Sequence, residues 1–228
     1  MKRVFNLLVV DESGSMAIIQ KQALMGINET LETIGKMQMT HKELEQHVTL
    51  ITFDSSHKRL IYDNVTADMA HKLGRDEYNP GGATPLYDAI GMGIAKINAQ
   101  TTDEDSVLVT IITDGEENCS EEYNLKMIKN LIDKLKKQGW TFTFIGTDNL
   151  DVEGMAADMG IDNHLSFCED AKGTEEMFRR ERKSRERFNM CMASDRAMPA
   201  GSYFKETYKE MGVHYMFLYK KEKHEVHT

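Results

Sequence analysis

Residues 4–15, VFNLLVVDESGS, join an apolar run to a short polar loop. The run has the length of a β-strand, and runs of this kind are typical of central strands that are buried on both faces. Asp11, Ser13 and Ser15 follow at once, and Gly14 lets the backbone between the two serines turn tightly. The stretch predicts a parallel sheet with oxygen-bearing side chains at the carboxyl end of its first strand.

Strand-like and helix-like patterns alternate along the rest of the chain, which favours a mainly parallel sheet covered by helices. The tight link between the second and third strands predicts that these two are antiparallel. The pattern breaks down from Met192 onward, although residues 215–219 could add an edge strand. The predicted strands are 4–10, 47–54, 59–62, 106–113, 140–145 and 164–168, and the predicted helices are 17–36, 66–76, 86–99, 121–138, 151–159 and 172–190.

The charge is unevenly distributed along the 228 residues, whose formal net charge is -9. Residues 1–170 hold 15 Lys+Arg and 28 Asp+Glu, whereas residues 171–228 hold 13 and 9. This division predicts an acidic domain over 1–170 and a charged helical extension over 171–228. An acidic domain argues against nucleic acid as a partner, because neutralising phosphates needs a basic surface.

Targeting and compartment signals are sparse. No apolar run approaches the ~20 residues of a membrane span, so no membrane association is expected. The apolar start runs directly into Asp11 and Glu12 without a small-residue cleavage site, which indicates a first strand and not a signal peptide. The three cysteines form no CxxC pair, which is typical of a reducing compartment. The cytoplasm is therefore the expected location.

Two further loops carry oxygen donors at places where a parallel sheet exposes the carboxyl ends of its strands. Thr84 follows Gly81 and Gly82 before a predicted helix, and Asp114 directly follows the strand at 106–113. Ligands bind at this edge of open α/β sheets. Carboxylate and hydroxyl oxygens suit Mg²⁺, and the absence of His and Cys from the three loops argues against zinc. The sequence therefore predicts a divalent-cation site.

The donor set also indicates what the cation would do. If the hydroxyls bind it directly and the aspartates act partly through water, its charge is only partly neutralised and one position stays open. The obvious outside ligand is an Asp or Glu carboxylate of a partner protein.

The motifs DESGS at 11–15, GGATPLYDAI at 81–90 and TDGEEN at 113–118 together resemble the von Willebrand factor A domain with a metal-ion-dependent adhesion site. The resemblance covers about residues 3–168. Within the family, the sequence is similar to small stand-alone bacterial or phage members. It implies a Rossmann-like three-layer α/β/α fold with a six-stranded, mainly parallel sheet and one antiparallel edge strand. It also implies Mg²⁺-dependent (or Mn²⁺-dependent) protein binding without catalysis. The metal residues that it implies are Asp11, Ser13, Ser15, Thr84 and Asp114.

Other interpretations of these residues stay open. Ser and Asp before a helix are also common capping residues, and Asp114-Gly115 is also a common turn. Asp148 either lines the rim of the site or caps the helix after it. A Mg²⁺-dependent phosphatase needs a second Asp two positions after the first, where this chain has Ser13. No GxGxxG or GxxxxGK[ST] motif supports nucleotide binding.

The basic extension offers a different function. Residues 178–187, FRRERKSRER, carry six basic and two acidic residues. A solvated helix face is the expected structure, and docking to an acidic partner, to RNA or to the chain's own acidic body is the alternative. A structural interaction protein that works through this extension is therefore the second function that the sequence allows.

Overall fold

The computed structural model describes residues 1–205 and has at its centre a six-stranded sheet in the order β3-β2-β1-β4-β5-β6. Among the strands of residues 1–205, only the β2–β3 pair is antiparallel, and the other four pairs are parallel. This confirms the predicted sheet with one antiparallel edge strand. The strands are β1 Lys2–Asp11, β2 Leu44–Phe53, β3 Lys58–Thr66, β4 Ser106–Thr113, β5 Thr141–Thr147 and β6 Asn163–Phe167.

Helices cover both faces of the sheet, and each layer is held by its own apolar cluster. One cluster joins α2, α3 and α4 to one face, and the other joins α1 and α5 to the opposite face. The fold is therefore the expected three-layer α/β/α arrangement. The helices are α1 Gln20–Thr40, α2 Leu86–Asn98, α3 Leu125–Lys137, α4 Val152–Met159 and α5 Ala171–Ala193, with short 3-10 helices at Gly14–Ile19 and Arg75–Glu77.

The strands β1 and β4 lie side by side at the centre of the sheet, with Val10 opposite Ile112. Their apolar side chains are buried on both faces, which explains why both sequences are nearly continuous apolar runs. Because the two strands are parallel, the residues that follow them emerge at the same edge. This arrangement brings the loop after Asp11 next to the loop after Thr113.

The predicted helix at 66–76 is wrong. The chain forms a turn after Thr66 and then only the 3-10 helix Arg75–Glu77. The Asn28 side chain accepts a 2.7 Å hydrogen bond from the Leu73 N–H and donates a 3.0 Å bond to the Leu73 carbonyl. These bonds to α1 replace the ones that a helix would form within itself.

The boundaries of α3 also differ from the prediction, because the helix begins at Leu125 and not at residue 121. The Asn124 side chain accepts a hydrogen bond from the Met127 N–H and so caps the first turn. Gly139 ends the helix as expected, with a positive φ of 91° that glycine adopts without strain.

The charged helix α5 packs against α1 and the sheet. Arg185, from the basic run at 178–187, is completely buried, so this run is not the uniformly solvated face that the sequence indicated. The possible strand at 215–219 lies outside the described residues. Within residues 1–205, none of the helices is long and apolar enough to cross a membrane.

Candidate functional site

The five predicted site residues come together at the carboxyl edge of the sheet. Asp11 ends β1, Asp114 follows β4, and Thr84 precedes α2 by two residues. The hydroxyls of Ser13 and Ser15 are 3.2 Å apart, and the Ser15 hydroxyl donates a 2.6 Å hydrogen bond to Oδ1 of Asp114. The first and third loops are thus joined directly by side chains.

Gly115 shows how closely the remaining oxygens approach one another. A Cβ atom placed on Gly115 would lie 2.9 Å from Oγ1 of Thr84. The same point is 3.7 Å from Oδ2 of Asp11 and 3.7 Å from Oγ of Ser15. Oxygens from all three loops therefore converge on one small volume.

Backbone hydrogen bonds fix the second loop between the other two. The Gly14 N–H donates to the Gly82 carbonyl at 3.1 Å, and the Gly81 N–H donates to the Glu12 carbonyl at 2.8 Å. On the other side, the Thr84 N–H donates to the Asn118 side chain at 2.8 Å, and the Asn118 N–H donates to the Thr84 carbonyl at 3.1 Å. The three loops form one rigid unit because each is tied to the next.

The site is deep at its acidic end and open at Ser15. Asp11 is completely buried, Asp114 is 3 % exposed and Ser15 is exposed. Oδ2 of Asp114 is buried and has no hydrogen-bond partner among residues 1–205. A buried carboxylate oxygen without a partner is costly, because it has lost water and gained nothing in exchange.

The electrostatics of the two aspartates agree with this geometry. Burial raises the pKa of Asp114 to about 6; the hydrogen bond from Ser15 opposes the rise, and the charges of Asp11 and Glu169 add to it. Burial also raises the pKa of Asp11, against hydrogen bonds from Thr113 and Ser13. Two buried carboxylates that repel each other favour the uptake of a proton or of a cation.

The capping interpretation of the first loop is not supported. Ser13 is the N-cap residue of the 3-10 helix, yet its side chain makes no capping hydrogen bond. The Ser13 hydroxyl lies instead within hydrogen-bonding distance of the Ser15 hydroxyl. Asp11 accepts the Ser13 N–H at 2.7 Å with Oδ1, which leaves Oδ2 for Thr113 and the space beside Gly115.

The donors at the site are two carboxylates and three hydroxyls. In the part of the chain that the structure describes, no three His, Cys, Asp or Glu side chains form a group that could hold a metal ion. Any cation at this edge would therefore depend on hydroxyl oxygens as well as on carboxylates.

A comparison over most of the sequence identifies the protein family. The sequence model of the von Willebrand factor type A domain matches residues 7–186. The chain belongs to the von Willebrand factor type A (VWA) family. Its VWA region includes α5 up to Glu186 and so extends into the predicted 171–228 extension.

Several solved structures share the fold at low sequence identity. The pilus adhesin SpaC from Lactobacillus rhamnosus GG aligns at TM-score 0.60 and 16% identity, over 80% of this chain and 30% of that one. The vWF domain of the type V pili tip protein Mfa5 from Porphyromonas gingivalis aligns at TM-score 0.57 and 12% identity, over 78% of this chain and 94% of that one. The SpRpn10 VWA domain aligns at TM-score 0.53 and 11% identity, over 76% of this chain and 92% of that one.

The chain spans about a third of the length of the SpaC adhesin that it matches. At these identities the likeness concerns the fold alone. No curated protein matches the sequence at a significant level.

Two residues that support the candidate site, Thr113 and Tyr78, are not among those predicted from the sequence. The Thr113 hydroxyl donates a 2.6 Å hydrogen bond to Oδ2 of Asp11 and accepts the Gly115 N–H at 3.0 Å. The buried Tyr78 hydroxyl donates to the Asp11 carbonyl at 2.7 Å. The signal for Thr113 was a hydroxyl at the last position of an otherwise apolar strand, next to Asp114. No local pattern indicated Tyr78.

Two of the nearby glutamates have structural partners. Glu12 is completely buried, and its carboxylate accepts hydrogen bonds from the Arg59 guanidinium at 2.7 and 2.9 Å. Glu117 accepts the N–H groups of Cys119, Ser120 and Tyr87, which fixes the third loop to the start of α2. Their charges are therefore compensated within the fold.

Proposed function

We propose that this VWA domain is a protein-binding module with a metal-ion-dependent adhesion site. Asp11, Ser13, Ser15, Thr84 and Asp114 would hold Mg²⁺, or Mn²⁺ in its place. A partner protein would complete the coordination with an Asp or Glu carboxylate.

The observation that carries this proposal is the buried, unpartnered Oδ2 of Asp114. The other oxygen of this carboxylate, Oδ1, accepts the Ser15 hydroxyl, and oxygens of Ser15, Thr84 and Asp11 approach one point beside Gly115. A small, hard cation would provide the missing partner and offset the repulsion between the two aspartates. Oxygen donors of this kind are those that Mg²⁺ prefers.

The neutral hydroxyls decide what kind of partner fits. They contribute no charge, so only the two aspartates oppose the charge of the cation, and an aspartate that acts through water leaves that charge partly unneutralised. The exposed Ser15 leaves the site open to solvent. A carboxylate from another protein is then the natural additional ligand. Since a group with this task needs no nucleophile and no general acid, we propose no catalytic activity. The phosphatase alternative lacks its second carboxylate at Ser13.

Location and the second candidate function are also proposals. Cys119, Cys168 and Cys191 all carry free thiols, which supports a reducing compartment such as the cytoplasm. The alternative function, interaction through the basic extension at 171–228, is supported by the exposed Lys183 on α5. Partner capture with and without EDTA separates the two functions, because only the adhesion site needs a metal.

Thermal unfolding of the full chain in Mg²⁺, Mn²⁺ and EDTA tests the metal site directly. At a hundredfold excess over Kd, one bound ion adds about 2.7 kcal/mol to the free energy of unfolding, which is a rise of several degrees in Tm. Asp114→Ala should abolish the metal-dependent rise. Asp103→Ala removes an exposed carboxylate at the opposite end of β4 and should keep the rise.

The metal-free Asp114→Ala protein shows whether the substitution itself destabilises the fold, which would also change the Tm. Since burial raises the pKa of Asp114, its charge destabilises the metal-free fold at neutral pH. The variant should therefore unfold at the same temperature as the metal-free wild type or higher. A wild-type Tm that Mg²⁺ and Mn²⁺ leave unchanged would refute the proposed site.

A further inference from the structure

Three acidic side chains lie in the loops that follow β4, β5 and β6, at the same edge of the sheet as the candidate site. Glu116 lies two residues after Asp114, Asp148 directly follows β5, and Glu169 follows β6 by two residues. Glu116 and Asp148 are exposed, and Glu169 is partly exposed. None of the three has a Lys or Arg ion-pair partner within residues 1–205. These residues are called the acidic rim below.

Hydrogen bonds connect one member of the acidic rim, Glu169, to Asp114. The Thr147 side chain lies between Asp114 and Asn149, with its hydroxyl 3.5 Å from the Asp114 carbonyl and 2.5 Å from the Asn149 side chain. The Asn149 amide donates to Glu169 at 3.2 Å. Glu169 is thus held in a fixed position beside the residue whose Oδ2 lacks a partner. Its negative charge contributes, after burial and Asp11, to the raised pKa of Asp114.

The acidic rim differs from the other acids at this edge of the sheet. Arg59 compensates Glu12, and backbone N–H groups compensate Glu117. The charges of the rim remain available to a molecule that approaches from solvent. Lys172, three residues after Glu169, is exposed and would offset at most one of them.

An exposed apolar side chain lies on the same side of the first loop as the site. Ile18 is 72 % exposed. It follows Ser15 by three residues within the 3-10 helix Gly14–Ile19. Side chains three residues apart in a 3-10 helix point in the same direction. Ile18 therefore projects beside the Ser15 hydroxyl.

We propose that the partner segment bound at this site carries its metal-binding carboxylate between basic side chains, with an apolar side chain that packs on Ile18. This inference rests on the proposed adhesion site and names the class of its partner. The basic side chains would face Glu116, Asp148 and Glu169, while the carboxylate reaches the cation.

Charge complementarity of this kind mainly determines which partner proteins can bind. A partner with several clustered acids would bring like charges against the acidic rim, and such contacts exclude wrong partners. A carboxylate flanked by lysines or arginines avoids that repulsion and is attracted during its approach. Because the rim is solvent-exposed, the preference should weaken as the salt concentration rises.

Four capped peptides test the inference with the full chain in Mg²⁺. Their sequences are Leu-Lys-Glu-Lys-Leu, Leu-Glu-Glu-Glu-Leu, Leu-Lys-Gln-Lys-Leu and Gly-Lys-Glu-Lys-Gly. Binding is followed in the millimolar range by the NMR shifts of the Ser13, Ser15 and Gly115 amides. The first peptide should bind roughly tenfold more tightly than the second, as expected for several exposed charge contacts. The third should not bind, and the fourth should bind more weakly than the first.

Charge-reversal variants identify the residues responsible. The triple variant Glu116→Lys, Asp148→Lys, Glu169→Lys should reverse the order of the first two peptides. Glu104→Lys, a reversal of an exposed acid at the opposite edge of the sheet, should leave the order unchanged. Ile18→Ser should remove the advantage of the leucine peptide over the glycine peptide, whereas Met127→Ser, at another exposed apolar residue, should keep it.

The outcomes separate the two proposals. Equal, EDTA-sensitive binding of the lysine-flanked and glutamate-flanked peptides would overturn the partner class and leave the adhesion site standing. An unchanged preference in the triple variant would also overturn it. If no peptide shifts these amides in Mg²⁺, or if EDTA has no effect on binding, both proposals fail.

Discussion

The Ser15 hydroxyl donates a 2.6 Å hydrogen bond to Oδ1 of Asp114, a residue 99 positions further along the chain. The bond closes the loop after β1 onto the loop after β4. It satisfies one oxygen of the aspartate and leaves Oδ2 buried without a partner in the described part of the chain. Ser15 is also exposed, so the same hydroxyl lies between the buried acid and solvent.

Ser15→Ala should lower the affinity for Mg²⁺ by about tenfold or more, since loss of an orienting hydrogen bond alone has an effect of that size at metal sites. The variant loses both a proposed ligand and the donor that orients Asp114. Isothermal titration calorimetry on the metal-free protein measures the change. Ser56→Ala, at an exposed turn position, is the control and should bind Mg²⁺ as the wild type does. Equal affinities in the two variants would contradict a ligand role for Ser15.

Asp88→Asn should destabilise the protein by about 2 kcal/mol, in the range for hydrogen bonds to a charged group. The Asp88 carboxylate, in the first turn of α2, accepts the N–H groups of Glu121, Glu122 and Tyr123 and binds Lys58 at 3.1 Å. In Asp88→Asn, the side-chain NH2 group would face backbone N–H groups and could not accept their hydrogen bonds. Urea unfolding at neutral pH gives the loss, and Asp103→Asn, at an exposed position, should stay close to wild type.

The pH dependence of this loss has a definite sign. Burial raises the pKa of Asp88, but the hydrogen bonds from the Glu121–Tyr123 backbone and from Lys58 outweigh burial and leave it below its usual value. The stabilisation is present above the unfolded pKa of about 4 and disappears as the pH falls through the folded pKa. The wild-type and Asp88→Asn stabilities should therefore converge in acid. A constant difference down to the acid transition would contradict this assignment.

The sequence was sufficient for those parts of the fold where local pattern and burial agree. The runs at β1 and β4 are apolar because both faces of each strand are covered, and such runs are visible without a structure. The segment at 66–76 was mispredicted because a side chain from α1, Asn28, determines its backbone. A contact between residues so far apart in sequence produces no pattern within the segment itself from which it could be predicted.

The candidate site also combines residues that local sequence patterns indicate with residues that only the folded structure brings together. The sequence predicts the five residues of the candidate site because their order and spacing resemble known motifs. Thr113, Tyr78 and Asn118 support them through bonds that depend on how the loops meet in space. Likewise, six basic residues at 178–187 look alike in sequence, and only the packing of α5 shows that Arg185 is the buried one.

Arg185→Met should reduce the free energy of unfolding by about 3–5 kcal/mol, because it leaves a buried charge without its counterion. Arg185 binds the buried Glu181 at 2.7 Å and donates to Asn6 on β1 and Thr110 on β4. Arg182→Met on the same helix is the control, since its pair with Glu29 is about 40 % exposed and should contribute under about 1 kcal/mol. Urea unfolding compares the two variants.

A double variant distinguishes charge burial from lost packing. Adding Glu181→Met to Arg185→Met removes the stranded carboxylate and should recover part of the stability. If the double variant is as unstable as the sum of the two single changes, the loss comes from packing and not from an uncompensated charge.

The crossing of α1 and α5 gives a comparison within a single helix. A Cβ atom on Gly26 would overlap the ring of Phe178 on α5, whereas a Cβ atom on Gly35 would meet nothing within 4 Å. Both glycines lie inside α1, so each Gly→Ala change brings the same gain in helix propensity, at most about 1 kcal/mol. Gly35→Ala should stabilise the protein by up to that amount. Gly26→Ala should instead destabilise it by about 1–2 kcal/mol, since overpacking outweighs the gain. Phe178→Leu in the Gly26→Ala background should relieve the clash, and equal Tm values for the two alanine variants would show that α5 does not pack closely on α1.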